Sequence, residues 1–400
     1  MLTVEEAQRR VLAEVRVIGT ERVPLPDALG RILREDVVAP HDVPAADNSA
    51  MDGYAVRAED IAGAPRSLRV IDDVAAGHLS AKQVEPGTAI RIMTGALLPE
   101  GADTVVQVEL TDGGTDIVEV REALPRGANV RSRGEDMRAG ALLVGRGTPL
   151  HAAELGVLAT AQRAVVEVAR RPVVAILSTG DELVEIDEPR AFGKVVNSNA
   201  YALAALVTEA GGIPLRLPIV RDTREATVAA FASALEADFI VSSGGVSVGA
   251  YDFVKDALQE LGAETLFWKV AMKPGKPVVF SRLRERLCFG LPGNPVSSMV
   301  SFLLFVLPAL RKCMGQERNV FPPTVHARVT AALKGAPDRR VYARVRVIAR
   351  EGELLAEPMR AQGSGVSTSM LQANGLAMLE ASVEGGATVA VLLVGAVVAE

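Results

Sequence analysis

Four hundred residues exceed what one hydrophobic core usually holds, and 49% hydrophobic content with 4% aromatics predicts roughly two to four aliphatic-cored domains. A formal net charge of −6 argues against a nucleic-acid partner, which would favour a basic face. Two cysteines, Cys288 and Cys313, and four scattered histidines argue against a disulfide framework or a His/Cys metal centre, and they suit a reducing compartment.

In chain order, residues 3–16 predict a charged amphipathic helix with Thr3 as N-cap and Glu5 and Glu6 in its first turn, not a secretory signal. Short strands and a turn at Leu29-Gly30 follow over 22–40. Asp47-Asn48-Ser49-Ala50-Met51-Asp52-Gly53-Tyr54 is a dense polar, turn-forming cluster. It reads either as a solvated connector or as a functional loop whose Gly53 frees the backbone. Between 67 and 143, β-like runs at 68–70, 89–93, 104–110, 117–120 and 141–144 alternate with turn signals and predict a small inserted β domain. Thr94-Gly95-Ala96 follows one of these runs. The loop 131–136 mixes cations and carboxylates, as an ordinary solvated turn also would. Residues 152–161 are predicted helical and 165–168 extended.

From Arg171 strand and helix alternate: strands at 172–177, 213–220 and 239–241, helices at 198–210 and 223–235. This βαβ order predicts a doubly wound, mostly parallel sheet with its ligand crevice beyond the strands' C-terminal ends. Glu182, Asp222, Gly244, Gly245, Asp252 and Asn294 all fall there. Three amide-exposing loops concentrate over 238–315: Ser243-Gly244-Gly245, Lys273-Pro274-Gly275-Lys276 and Pro292-Gly293-Asn294-Pro295. Asn294 is a good N-cap and Pro295 a good first residue for a helix ending at Gly315. With Lys269, Lys273 and Lys276 nearby, the stretch predicts a pocket for an anionic, phosphate-bearing small molecule. The apolar run 296–310 is read as too short for a bilayer, so a soluble cytoplasmic chain is expected. After Pro322-Pro323, five β-like runs predict a C-terminal β-barrel, with Gly363-Ser364-Gly365 either a plain loop or an anion nest. The expected division is 1–45 with 145–170, an inserted β domain at 46–144, an α/β domain at 171–322 and the barrel at 323–400.

Neither a Walker loop nor a G-x-G-x-x-G helix start is present. Gly245-Val246-Ser247-Val248-Gly249 imitates a hydrolase elbow, but only His326, beyond a Pro-Pro linker, follows it. Glu182, Asp222 and Asp252 could each be a helix-start carboxylate; together beside an anion pocket they suggest a hydrated Mg²⁺.

Seven motifs in order, 47–55 (DNSAMDGYA), 91–96 (RIMTGA), 133–136 (RGED), 178–183 (STGDEL), 242–249 (SSGGVSVG), 268–277 (WKVAMKPGKP) and 291–297 (LPGNPVS), span the chain. In these it resembles the molybdopterin molybdenumtransferases of molybdenum-cofactor synthesis, which include the E domain of gephyrin. Ala46 stands where that family often has an aromatic residue. The resemblance implies insertion of molybdenum from molybdate into adenylylated molybdopterin, with Mg²⁺ and release of AMP. It implies an elongated homodimer whose cleft joins the α/β domain of one chain to β domains of the other. It implies catalytic roles for Asp52, Thr94, Asp136, Glu182, Asp222, Asp252, Lys269 and Lys273, and metal ligation by Asp252, Glu182 and Asp222. It implies substrate contacts at Arg131, Gly244, Gly245, Ser247, Lys276, Pro292, Asn294, Pro295, Ser297, Arg344 and Ser364, with Lys273, Ser297, Arg344 and Ser364 around the oxyanion. Other proteins of the same biosynthesis are possible partners. Two alternatives stay open: the preceding adenylyltransferase, which the extra β domains disfavour, and a non-catalytic scaffold of the gephyrin type, which the intact acidic and lysine positions disfavour.

Overall fold

The computed structural model describes residues 1–189, 191–246 and 253–399. Ser247 and Asp252 therefore lie outside the described residues. Helix Val4–Glu14 opens on the expected reciprocal cap: the Glu6 N–H donates to the Thr3 hydroxyl and the Thr3 N–H to the Glu6 carboxylate. Its buried face, Val4, Ala7 and Val11, packs against the long apolar helix Pro295–Cys313.

That helix is 19 residues long with a mean hydropathy of 1.5, enough to cross a bilayer, contrary to the reading of its run as too short. Burial explains its composition instead, since 83% of it is covered by protein. Pro308 has no N–H to give the Leu304 carbonyl, and a π-helical turn at Phe302–Val306 precedes it. Gln8 Nε2 donates to that carbonyl at 3.1 Å. Gly315 follows the end of the helix, as expected.

The central sheet has six strands in the order Ile213–Arg216, Val173–Ser178, Phe239–Ser243, Arg286–Leu291, Val279–Leu283 and Glu264–Trp268. The first four are parallel and the last two complete an antiparallel edge. Residues 174–177 and 239–241 are buried without alternation, which is how a strand covered on both faces reads. The Ile213 strand stops at Arg216, short of the expected Val220, because Pro218 cannot donate to a ladder; Val220 makes only an isolated bridge to Thr179.

Two β regions flank this core. One is a five-stranded sheet ordered Thr104–Gln107, Gly53–Val56, Thr88–Ile92, Arg66–Val74 and Ile117–Val120. Gly53–Val56, hidden in the sequence by its polar flank, is a buried inner strand of it. Leu142–Val144 lies elsewhere, paired with Val37–Val38. The other is a closed barrel: Arg340–Arg350 pairs with Glu353–Pro358, then Thr324–Val329, Thr388–Leu393 and Gly375–Leu379 follow, and the last pairs back to Arg340–Arg350. Closure removes the unpaired edges that an open sheet would expose.

Asp238 ties the sheet to the segment before it. Arg170 donates to both its oxygens at 2.6 and 2.7 Å, and the Val173 N–H donates at 2.9 Å. Burial pushes its carboxyl up, but Arg170, the Val173 amide and Arg286 outweigh that and hold it below the usual carboxylate range. A depressed folded pKa contributes stability above the unfolded value of about 3.9, and that stability is lost as pH falls through the folded value. Asp238→Asn should therefore cost about 1–3 kcal/mol at neutral pH and flatten the acid limb of a stability-versus-pH curve. An unchanged acid limb would show that the pair does not act this way.

Candidate functional site

The strands Val173–Ser178, Phe239–Ser243 and Arg286–Leu291 end side by side and open into Thr179-Gly180, Gly244-Gly245 and Pro292-Gly293. In a parallel sheet this edge is where a ligand crevice forms. Gly244 has φ +93°, and a Cβ there would stand 2.8 Å from the Thr179 carbonyl oxygen, so a side chain would force the first two loops apart. Asn199 Nδ2 donates to Ser243 Oγ at 2.8 Å and to the Gly293 carbonyl at 2.7 Å, joining the second loop to the third. Sequence reasoning missed Asn199. Its signal is the triplet Asn197-Ser198-Asn199 at a helix start that Asn197 alone caps.

The third loop also borders a cavity of about 640 Å³ between the α/β sheet and the barrel. The lysine loop forms one wall, held to the barrel where Met272–Lys273 pairs with Arg340 and Val341. Gly275 has φ +101°, and a Cβ would meet Ser301 Oγ at 2.7 Å and Met272 Cε at 2.9 Å, so glycine is required there. Asn294 begins the helix as expected but does not cap it with its side chain. Its Nδ2 donates instead to Ser364 Oγ at 3.1 Å, and the Ser364 carbonyl accepts the Val296 N–H at 3.1 Å.

Lys273, Lys276, Pro292, Asn294, Ser297, Arg344 and Ser364 all line this cavity, so the structure brings the four expected oxyanion residues together. Lys334, Arg339 and Gln362 join them without having been anticipated; a lone surface lysine such as Lys334 carries no sequence signal. Arg344 is 1% exposed. Its guanidinium donates to Ser369 Oγ at 3.3 Å and to the carbonyls of Ala361 and Gly363 at 3.3 and 3.1 Å. Gln362 fixes its backbone by accepting the Arg344 N–H and donating to the Arg344 carbonyl. All these partners are neutral, and burial lowers the arginine's pKa. The described lining contains no aspartate or glutamate, and among the described residues no carboxylate lies within 4.0 Å of Lys273, Lys276 or Lys334. Arg339 is paired with Asp338 outside the lining. A buried cation with only neutral partners is costly, and an incoming anion compensates it.

The other expected residues fall outside this cavity. Asp52 accepts the Thr94 N–H at 2.6 Å, and that amide, then the Thr94 hydroxyl, hold its carboxyl below the usual range. Asn48 pairs with Arg131, the Arg133 N–H donates to Asp47 at 2.7 Å, and the Asp136 N–H to the Val43 carbonyl at 3.0 Å. The motifs of the five-stranded region thus form a second cluster. Among the described residues no hydrogen bond or ion pair joins it to the loops of the central sheet. Asp222 and Asp181 each accept the other's backbone N–H at 3.2 and 3.3 Å, and the Glu182 carboxylate curls over Gly180. Among the described residues no three His, Cys, Asp or Glu side chains stand as a metal set. Lys269 does not line the cavity; it has φ +73° and sets Nζ 4.8 Å from the Trp268 ring, with Lys255 Nζ 4.9 Å from the same ring. Pro295 occupies the first turn of its helix without lining the cavity.

Family models match the chain in three stretches: "MoeA N-terminal region (domain I and II)" over residues 2–161, "Probable molybdopterin binding domain" over 175–312 and "MoeA C-terminal region (domain IV)" over 326–394. A molybdopterin molybdenumtransferase of Bacillus subtilis (strain 168) is 40% identical over 408 residues, covering 98% of this chain and 94% of the relative. One of Nostoc sp. is 41% identical over 371 residues, covering 90% and 85%. The crystal structure of a molybdopterin biosynthesis MoeA protein from Pyrococcus horikoshii OT3 matches with a TM-score of 0.85 at 29% identity, over 98% of this chain and all of that one (100%).

Proposed function

This chain belongs to the molybdopterin molybdenumtransferase family, and from that premise we propose how its residues divide the work. It is a transferase of molybdenum-cofactor biosynthesis that inserts molybdenum into molybdopterin. The cavity between barrel and sheet receives molybdate as substrate, held by Lys273, Ser297, Arg344 and Ser364. The observation that carries this reading is Arg344, buried at 1% exposure with only neutral partners among the described residues. The adjoining Gly244-Gly245 and Pro292-Gly293 loops receive adenylylated molybdopterin, with the Gly245 and Gly293 N–H groups facing its phosphates, since Pro292 has none and that of Gly244 donates to the Leu291 carbonyl; AMP leaves as molybdenum enters. Lys269 and Lys276 add positive charge to that binding.

Glu182 and Asp222 come from loops after adjacent strands, and with Asp252 they offer hard carboxylate oxygens, the donor type that suits Mg²⁺. When bound there, Mg²⁺ would polarise the pyrophosphate link. Asp52, Thr94, Arg131 and Asp136 serve the site of a second copy in a homodimer. The division then has a purpose: the five-stranded part reaches across, and the parts at 171–322 and 323–400 enclose the oxyanion. In solution the chain, given adenylylated molybdopterin, Mg²⁺ and molybdate, should release AMP. Asp252→Asn should keep nucleotide–pterin binding and lose AMP release. Undiminished release by the variant would sink the metal role, and no AMP from the native chain would sink the whole reading.

A further inference from the structure

We propose that the cavity selects oxyanions carrying no proton and rejects those with an O–H, hydrogen phosphate above all. This rests on the oxyanion reading just given and goes beyond it by assigning the selectivity to hydrogen-bond polarity. Molybdate, tungstate and sulfate only accept hydrogen bonds, whereas hydrogen phosphate must also donate one.

The walls are arranged to donate. Lys273, Lys276 and Arg344 have no acceptor to offer. The neutral acceptors around Arg344 are already engaged: the Ala361 and Gly363 carbonyls accept from its guanidinium, and the Gln362 amide oxygen accepts its backbone N–H. Ser364 Oγ accepts from Asn294 Nδ2, which turns its own O–H to donate. No aspartate or glutamate is among the described lining residues. Ser297 retains a hydroxyl, a weak neutral acceptor beside several cations, whereas that of Tyr342 is bonded to the Arg340 side chain. A P–OH group inside therefore has only neutral acceptors to donate to, the Ser297 hydroxyl and the Asn294 side-chain oxygen, both beside cations that compete for them, and it pairs poorly. An unmade buried hydrogen bond corresponds to roughly a tenfold loss of affinity or more. Rejection of a wrong ligand by polar groups it leaves unmatched is a general route to specificity. Asn294 is the positioning residue here, because it fixes the direction in which Ser364 donates. Hydrogen phosphate lessens the penalty by turning its O–H to the mouth of the cavity or to one of these neutral oxygens.

The test is equilibrium dialysis of molybdate against the native chain, with sulfate and phosphate as competitors near neutral pH. Sulfate should displace molybdate at concentrations roughly tenfold or more below those that phosphate requires. Asn294→Asp, which is isosteric, replaces a donor with a carboxylate acceptor and should move the ratio toward phosphate by about the same factor. Ser364→Ala should weaken all these anions without rescuing phosphate, as a purely structural loss at Asn294 also would. Equal competition by sulfate and phosphate in the native chain overturns the selectivity and leaves the oxyanion site standing. Absence of molybdate binding, or binding indifferent to Arg344→Met, overturns both.

Discussion

Replacing Arg344 by Met should lower molybdate affinity on the order of a hundredfold while leaving the chain folded. Truncating one partner of a desolvated charge pair costs about 2–5 kcal/mol, and the guanidinium, at 1% exposure, is the one fully buried cation among the described lining residues. Methionine fills similar space, and without the oxyanion the variant also sheds an uncompensated buried charge. Against that, the carbonyls of Ala361 and Gly363 lose a donor, at about 1–3 kcal/mol. Molybdate at a hundred times its Kd should stabilise the native chain by about 2.7 kcal/mol and the variant hardly at all at the same concentration. Calorimetric titration and thermal denaturation read the two effects separately. A variant that binds within about threefold of the native protein contradicts the assignment, since even one charged hydrogen bond is worth more than that.

Two inactive variants should restore activity when mixed. Asp52 belongs to the cluster around Thr94 and Arg131, and Arg344 to the cavity between barrel and central sheet. Among the described residues nothing bonds the one cluster to the loops of the other. If each active cleft takes the first cluster from one copy and the cavity from its partner, a dimer of Asp52→Ala with Arg344→Met holds one intact cleft and one doubly damaged cleft. Random pairing in a two-fold dimer then recovers roughly a quarter of native AMP release. Hybrid dimers shown to exist by mass spectrometry, yet inactive, would rule out the shared cleft.

Much of this architecture was legible because its physical signals are local. Thr3 with Glu6 announces a capped helix, and the unalternating apolar runs at 174–177 and 239–241 announce strands covered on both faces. The loops at Gly244, Gly275 and Pro292 could be placed because glycine and proline mark backbone that no other residue would favour. Other features were opaque because they arise only once distant segments meet. Gly53–Val56 was hidden behind four polar residues, although its own side chains are buried. Asn294 carries the pattern of a capping residue, yet Ser364, seventy positions later, takes its amide. Arg344 sits in an ordinary β-like run; only the closed barrel reveals it as a buried, acid-free cation. Resemblance to a family found Arg344 and Ser364; periodicity alone does not single them out.

The cavity as the oxyanion's berth is tested most directly by anomalous diffraction at the molybdenum edge from crystals of this protein soaked in molybdate. The expected result is a strong peak within hydrogen-bond reach of Arg344, Lys273, Ser297 and Ser364. A peak at the Gly244 or Gly293 loops, with none in the cavity, would contradict it.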